Sequence, residues 1–183
     1  MSKRPVVLVV MDGVGISDSE FGNAVKKAYK PTLDNLWENS PHTEIKAHGL
    51  AVGLPTDDDM GNSEVGHNAL GCGQIYSQGA KLVNENIETG EIFKTETWSG
   101  LVNNCKDGKM HFLGLLSDGN VHSHINHLKA LIKKSKEDGV KEVRVHALLD
   151  GRDVPETSAL TYVDDIEAYM AELNDDSFHA CIA

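Results

Sequence analysis

The sequence predicts an α/β protein built on parallel strands, and three observations carry that prediction. Apolar strand-like runs alternate with helical ones over residues 110–183 in the order strand, helix, strand, helix, strand, which requires parallel pairing through right-handed crossovers. The run VVLVVM at 6–11 is apolar at every position, the pattern of a strand buried on both faces. Three apolar runs end in acid-glycine turns, Asp12-Gly13, Asp118-Gly119 and Asp150-Gly151. The carboxyl ends of parallel strands are where such folds hold ligands.

Each element has its own signal. PVVLVVMDG is the first expected strand. A helix begins near Pro31 in KPTLDNLWENS, with proline in the first turn and Leu33, Leu36 and Trp37 on one face. EIKAHG reads as a short strand, and SEVGHNAL as a short helix entered from a glycine-rich loop. Residues 78–104 read as mainly helical through Leu82, Val83, Ile87, Ile92, Trp98, Leu101 and Val102. MHFLGLLSD is a strand. INHLKALIKKSKEDG is a helix with Ile125, Leu128, Leu131 and Ile132 inward and Gly139 past its end. KEVRVHALLD is the next strand. VPETSALTYVDDIEAYMAELN is a helix with Pro155 near its start and Leu160, Val163, Ile166, Met170 and Leu173 at spacings of three and four. FHACIA is the last strand. The chain stops there with no turn or polar tail, so it reads as part of a longer polypeptide.

Composition excludes several classes. At 183 residues the chain has room for one ordinary domain or two small ones, and 40% hydrophobic with 25% charged residues is globular composition. No apolar run reaches a membrane span. The basic N-terminus precedes an apolar run too short for a secretory signal and without a small-residue cleavage site, so the expected location is cytoplasmic. A net charge of −11 argues against a broad nucleic-acid surface and requires locally concentrated cations for an anionic substrate. Cys72, Cys105 and Cys181 are odd in number and form no C-x-x-C pair; they read as reduced, mostly buried thiols.

The candidate site residues each admit a chemical and a structural role. Asp12, followed by glycine, suits close approach to a metal or phosphate, and also a turn or cap. Ser63 at a helix start faces backbone N–H groups that favour an oxyanion, and beside a metal it becomes a nucleophile; serine is also a good N-cap. His67, one turn on, is a base for Ser63 or a structural histidine. His122, His124 and His127 form H-x-H-x-x-H without a nearby carboxylate or cysteine, a weak zinc signal set against substrate contact or helix capping. Arg152 offers a bidentate cation for an oxyanion and Asp153 a carboxylate that moves a proton, against a local surface salt bridge. The glycines match neither a phosphate-binding loop ending in G-K-[ST] nor G-x-G-x-x-G, and the acids at 57–59 lack calcium-loop spacing.

Together, VVMDGVG at 9–15, AVGLPTDDDMGNSEVGHNALGCG at 51–73, GLLSDGNVHSH at 114–124 and HALLDGRDVPETSA at 146–159 closely resemble the cofactor-independent phosphoglycerate mutases of the alkaline phosphatase superfamily. The resemblance implies interconversion of 3-phosphoglycerate and 2-phosphoglycerate through a phosphoserine on Ser63, in the glycolytic direction and its reverse, with no requirement for 2,3-bisphosphoglycerate. It implies two manganese ions, with magnesium or cobalt as substitutes, and matches Asp12 and Ser63 to metal-ligand positions. His122, Arg152 and Asp153 match substrate-binding positions, with Asp153 a proton carrier. It divides the chain into residues 1–77, the start of a metal-binding phosphatase-like domain, and 78–183, the first part of an inserted α/β transferase domain. The family's remaining metal ligands and phosphate-binding cations belong to a C-terminal half outside these residues. The expected partners are therefore the two phosphoglycerates and that missing half, with no nucleic acid and no membrane, and the intact enzyme is expected to be monomeric. Competing readings are a related metal-dependent phosphatase or phosphopentomutase, which should lack the His122 and Arg152-Asp153 loops, and a non-catalytic module that binds substrate without a metal centre.

Overall fold

A computed structural model describes residues 4–183. The chain forms two compact units, one up to Lys46 and the other Ala47–Ala183.

The first unit contains α1 (Ala24–Lys27) and α2 (Pro31–Asn39). Asn23 caps α1 by accepting from the Lys26 amide, and proline opens α2, where a missing N–H costs no helical bond. Leu33, Leu36 and Trp37 border a groove with Met11, Val14 and Ile16. The expected strand at 5–11 does not form: the backbone there pairs with no other segment among the described residues, and Val6 is 94% exposed. An all-apolar run shows a capacity for burial on two faces, but a parallel strand exists only through the ladder it shares with neighbours. EIKAHG likewise forms no strand.

The second unit opens with a 3₁₀ turn at Gly49–Val52, followed by α3 (Ser63–Cys72), α4 (Gly79–Glu88), a 3₁₀ turn at Glu91–Lys94 and α5 (Glu96–Asn104). Val52, Leu54 and Val65 make a small core beneath this segment. Gly53 has φ +85°, and a Cβ there would meet the Tyr76 carbonyl oxygen at 1.9 Å, so this close backbone crossing requires glycine.

The sheet follows: β1 (Met110–Leu116), α6 (Ile125–Glu137), β2 (Glu142–Leu149), α7 (Ala159–Leu173) and β3 (His179–Ile182). The strands are parallel in the order β1-β2-β3, with Met110 opposite Val143, Leu116 opposite Leu149 and Val143 opposite Ala180. The predicted β-α-β-α-β run is therefore present. Two right-handed crossovers between sequential neighbours put both helices on one face. There Ile132 is 0% exposed and packs in one cluster with Val143, Val145, Ile166, Met170 and Ala180. Trp98 of α5 joins this core, and its indole N–H donates to Asp138 Oδ2 at 2.7 Å. Leu113 and Leu148, on the alternate positions, are exposed. His111 and His146 also lie there, with ring nitrogens 2.8 Å apart, ring centroids 5.1 Å apart and planes within 22°. The rings thus meet edge to edge, one donating to the other.

Three smaller expectations change. Helix α7 begins at Ala159, so Pro155 sits in the preceding turn, where its carbonyl accepts from the Ser158 amide. Leu160 is exposed, and the buried stripe of α7 starts at Val163, because periodicity marks a face without showing how far the neighbouring surface extends. Of the cysteines, Cys72 is exposed at the end of α3, and Cys105 and Cys181 are half-buried free thiols.

Candidate active site

Helix α3 presents Ser63 as its first residue. The cap is Asn62, whose Oδ1 accepts from the Val65 amide at 3.0 Å. The capping role allowed for Ser63 thus belongs to its neighbour, and Ser63 stands in the first turn, where unsatisfied N–H groups concentrate. His67 Nδ1 lies 2.7 Å from the Ser63 carbonyl oxygen and 3.1 Å from Ser63 Oγ. A carbonyl only accepts, so the shorter contact puts the proton on Nδ1, and that nitrogen then has no lone pair for the Ser63 hydroxyl. In this geometry the His67 ring is held against the first turn of α3.

The acids before Ser63 organise the loop. Asp57 Oδ1 accepts from the Leu50 amide at 3.2 Å. Asp59 Oδ2 accepts from the Thr56 amide at 2.7 Å and the Thr56 hydroxyl at 2.8 Å, while Asp59 Oδ1 accepts from Asn120 Nδ2 at 2.7 Å. Partial burial pushes the Asp59 pKa up, but these bonds from Asn120 and Thr56 outweigh it and hold the carboxyl below its ordinary value.

The opposite wall comes from the carboxyl ends of β1 and β2. Asp150, directly after β2, is 6% exposed and accepts from the Ser117 hydroxyl at 2.6 Å. Its other oxygen accepts from the amides of Arg152 at 2.9 Å and Asp153 at 3.1 Å. The Ser117 hydroxyl first, and then the Arg152 amide, lower its pKa. The Asp153 side chain is 10% exposed and lies 4.0 Å from His122 Nε2. Among the described residues Arg152 makes no ion pair, so the local Arg152–Asp153 salt bridge gives way to an Asp153–His122 approach. Tyr162 of α7 donates to Asp118 Oδ1, and that contact raises the phenol pKa.

These groups surround a cleft of about 800 Å³ whose lining includes Asp58, Asn62, His122, Arg152, Asp153 and Tyr162. The structure therefore gathers His122, Arg152 and Asp153 beside the residue that caps the Ser63 helix. Asp12 belongs to the first unit, in a turn before Gly13 at φ +75°. The three histidines of H-x-H-x-x-H do not act together: His124 caps α6 by accepting from the Asn126 amide at 3.1 Å, and His127 Nε2 pairs with Asn84. Burial, then the nearby His124, lowers the His127 pKa.

Sequence reasoning gave no role to Asn120 or Tyr162, and read Asp59 only as one of the loop acids at 57–59. Asn120 had a signal, since asparagine after Asp-Gly tolerates the left-handed region and its φ is 58°. Tyr162 had none beyond its place on a helix.

The donor set does not amount to a metal centre. Among the described residues no three His, Cys, Asp or Glu side chains converge to hold an ion.

A protein of Leptospira interrogans named as a probable 2,3-bisphosphoglycerate-independent phosphoglycerate mutase is 52% identical over 174 residues, covering 93% of this chain and 32% of its own length. The 2,3-bisphosphoglycerate-independent phosphoglycerate mutase of Clostridium novyi is 52% identical over 175 residues, covering 94% and 34%. The crystal structure of Leishmania mexicana phosphoglycerate mutase at low cobalt concentration superposes with a TM-score of 0.85 at 46% identity, covering 95% of this chain and 32% of that one. The chain thus spans about a third of the length of these relatives. Residues 83–182 match the family described as BPG-independent PGAM N-terminus, and the chain belongs to that family.

Proposed function

We propose that the cleft holds 3-phosphoglycerate and 2-phosphoglycerate, and that the chain is the substrate-holding part of an isomerase that moves the phosphoryl group between their hydroxyls through Ser63. The observation that carries this reading is the convergence of His122, Arg152 and Asp153 at the ends of β1 and β2, beside Asn62 and the start of α3. Arg152 supplies a planar cation for a carboxylate or phosphate, and His122 a second donor. Asp153 accepts a proton from one glycerate hydroxyl and returns it to the other. Ser63 Oγ, as the alkoxide that bound divalent ions would stabilise, forms the new bond to phosphorus as the bond to one glycerate oxygen breaks. In the second displacement the other glycerate oxygen, its proton taken by Asp153, attacks that phosphorus and releases the Ser63 oxygen. Residues 1–77 are the start of the metal-binding domain and 78–183 the start of the transferase domain, a division by role, since 47–77 pack with the second unit.

The two divalent ions implied by the resemblance, manganese, magnesium or cobalt, need more ligands than Asp12 and Ser63 supply. The chain by itself therefore binds substrate without turning it over, and the remaining ligands come from the part of the longer relatives beyond this match. No helix among the described residues is long and apolar enough to cross a membrane.

Calorimetric titration with 3-phosphoglycerate, paired with a mutase assay in manganese, tests both statements. Saturable binding abolished by Arg152→Ala, with no turnover, is expected. No binding by the unaltered chain overturns the substrate reading, and turnover overturns the incomplete-centre reading.

A further inference from the structure

Asp150 is a buried carboxylate with no cation beside it. Among the described residues it makes no ion pair, and its acceptor sites are met by one hydroxyl and two backbone amides. Burying an ionised carboxylate is costly unless such donors compensate, so the arrangement requires all three.

Strand register explains how they meet. Leu116 lies opposite Leu149 in the last registered pair of β1 and β2, and the next residues along are Ser117 and Asp150. Their short side chains meet one step beyond the ladder, so the two site loops leave the sheet from a single hydrogen-bonded point. Ser117 is 0% exposed, and its Oγ also lies 3.4 Å from the Gly119 amide. Its carbonyl accepts from the Ile125 amide at 2.8 Å, closing the loop that carries His122. From the other side, Asp150 Oδ1 draws in the consecutive amides of Arg152 and Asp153.

We propose that Asp150 is a positioning residue of the cleft: clamped to Ser117, it fixes the backbone from which Arg152 and Asp153 reach an anionic phosphorylated hydroxy acid. This rests on the substrate reading above. Asp150 does not line the cleft and acts through its neighbours. Sites of this kind need their binding groups held to a fraction of an ångström by such supporting bonds.

The test compares Asp150→Ala, Asp150→Asn and Ser117→Ala by 3-phosphoglycerate titration and by amide hydrogen exchange without ligand. In Asp150→Ala, affinity should fall roughly tenfold, the effect of one charge-assisted hydrogen bond. The Arg152 and Asp153 amides should exchange faster while those of Val143 and Val145 stay protected. Asp150→Asn, whose Oδ1 still accepts both amides, should recover most of the affinity. Unchanged affinity in Asp150→Ala, an Asp150→Asn defect equal to it, or exchange raised equally across β2 overturns the proposal. If Asp150→Ala does not fold, Ser117→Ala decides: faster exchange at Arg152 and Asp153 with a severalfold affinity loss supports the clamp, and no change overturns it. If Arg152→Ala leaves affinity intact, the substrate reading fails, and the exchange pattern still tests the clamp by itself.

Discussion

Asn120 donates from Nδ2 to Asp59 Oδ1 at 2.7 Å, across 61 residues of sequence, and does so from a left-handed backbone at φ 58°. The bond ties the loop that leads into Ser63 to the loop that carries His122. Replacing Asn120 by alanine removes the bond and leaves a side chain in a disfavoured conformation; glycine removes only the bond. Together the two effects are worth about 1–3 kcal/mol. Urea unfolding should therefore rank wild type above Asn120→Gly and Asn120→Gly above Asn120→Ala. A glycine variant as stable as wild type would show that the bond contributes nothing.

Acid should weaken this arrangement in a defined direction. Asp59 and Asp150 are both held below the ordinary carboxyl value of 3.8 in the folded chain. A depressed folded pKa contributes stability that is fully present above the unfolded value and is lost as pH falls through the folded one. The unfolding free energy should thus drop as pH goes below about 4. Asp59→Asn and Asp150→Asn should each flatten that drop, measured as urea midpoints at stepped pH. Parallel pH curves for wild type and both variants would contradict the assigned hydrogen bonds.

Gly119→Ala should disturb the substrate wall directly. A Cβ at this position would come 2.6 Å from the Asp153 Cβ, a contact that backbone or side chain must move to relieve. Overpacking of this kind costs about 1–3 kcal/mol, and the shift should also weaken 3-phosphoglycerate binding. Calorimetry on the variant checks the second effect, and retained affinity would mean the wall adjusts freely.

The core of the second unit offers an independent test of the fold. Ile132→Ala empties a fully buried position beneath the sheet and should cost about 2–5 kcal/mol. Trp98→Phe leaves Asp138 paired with Lys134 and removes one hydrogen bond, a loss of about 1 kcal/mol apart from the lost ring volume. Chemical denaturation followed by circular dichroism distinguishes the two, and an Ile132→Ala variant as stable as wild type would contradict the packing of α6.

The features legible in the residues alone are local and periodic. Apolar spacing located α2, α6, α7 and the three parallel strands, and the Gly-Asn-Ser turn placed Ser63 at a helix start. The acid-glycine turns marked the ends of β1 and β2, where His122, Arg152 and Asp153 line the cleft. Those features follow from side-chain period and turn chemistry, which act over a few residues. Partner choice was decided only in three dimensions. VVLVVM is suited to a two-sided strand, yet it takes no sheet neighbour among the described residues. Asn62, not Ser63, caps α3; Asp59 bonds Asn120; Asp153 faces His122; and Ser117 meets Asp150 because register carries both one step past the last strand pair. Each of these depends on which distant backbone lies within hydrogen-bond reach, and packing sets that distance.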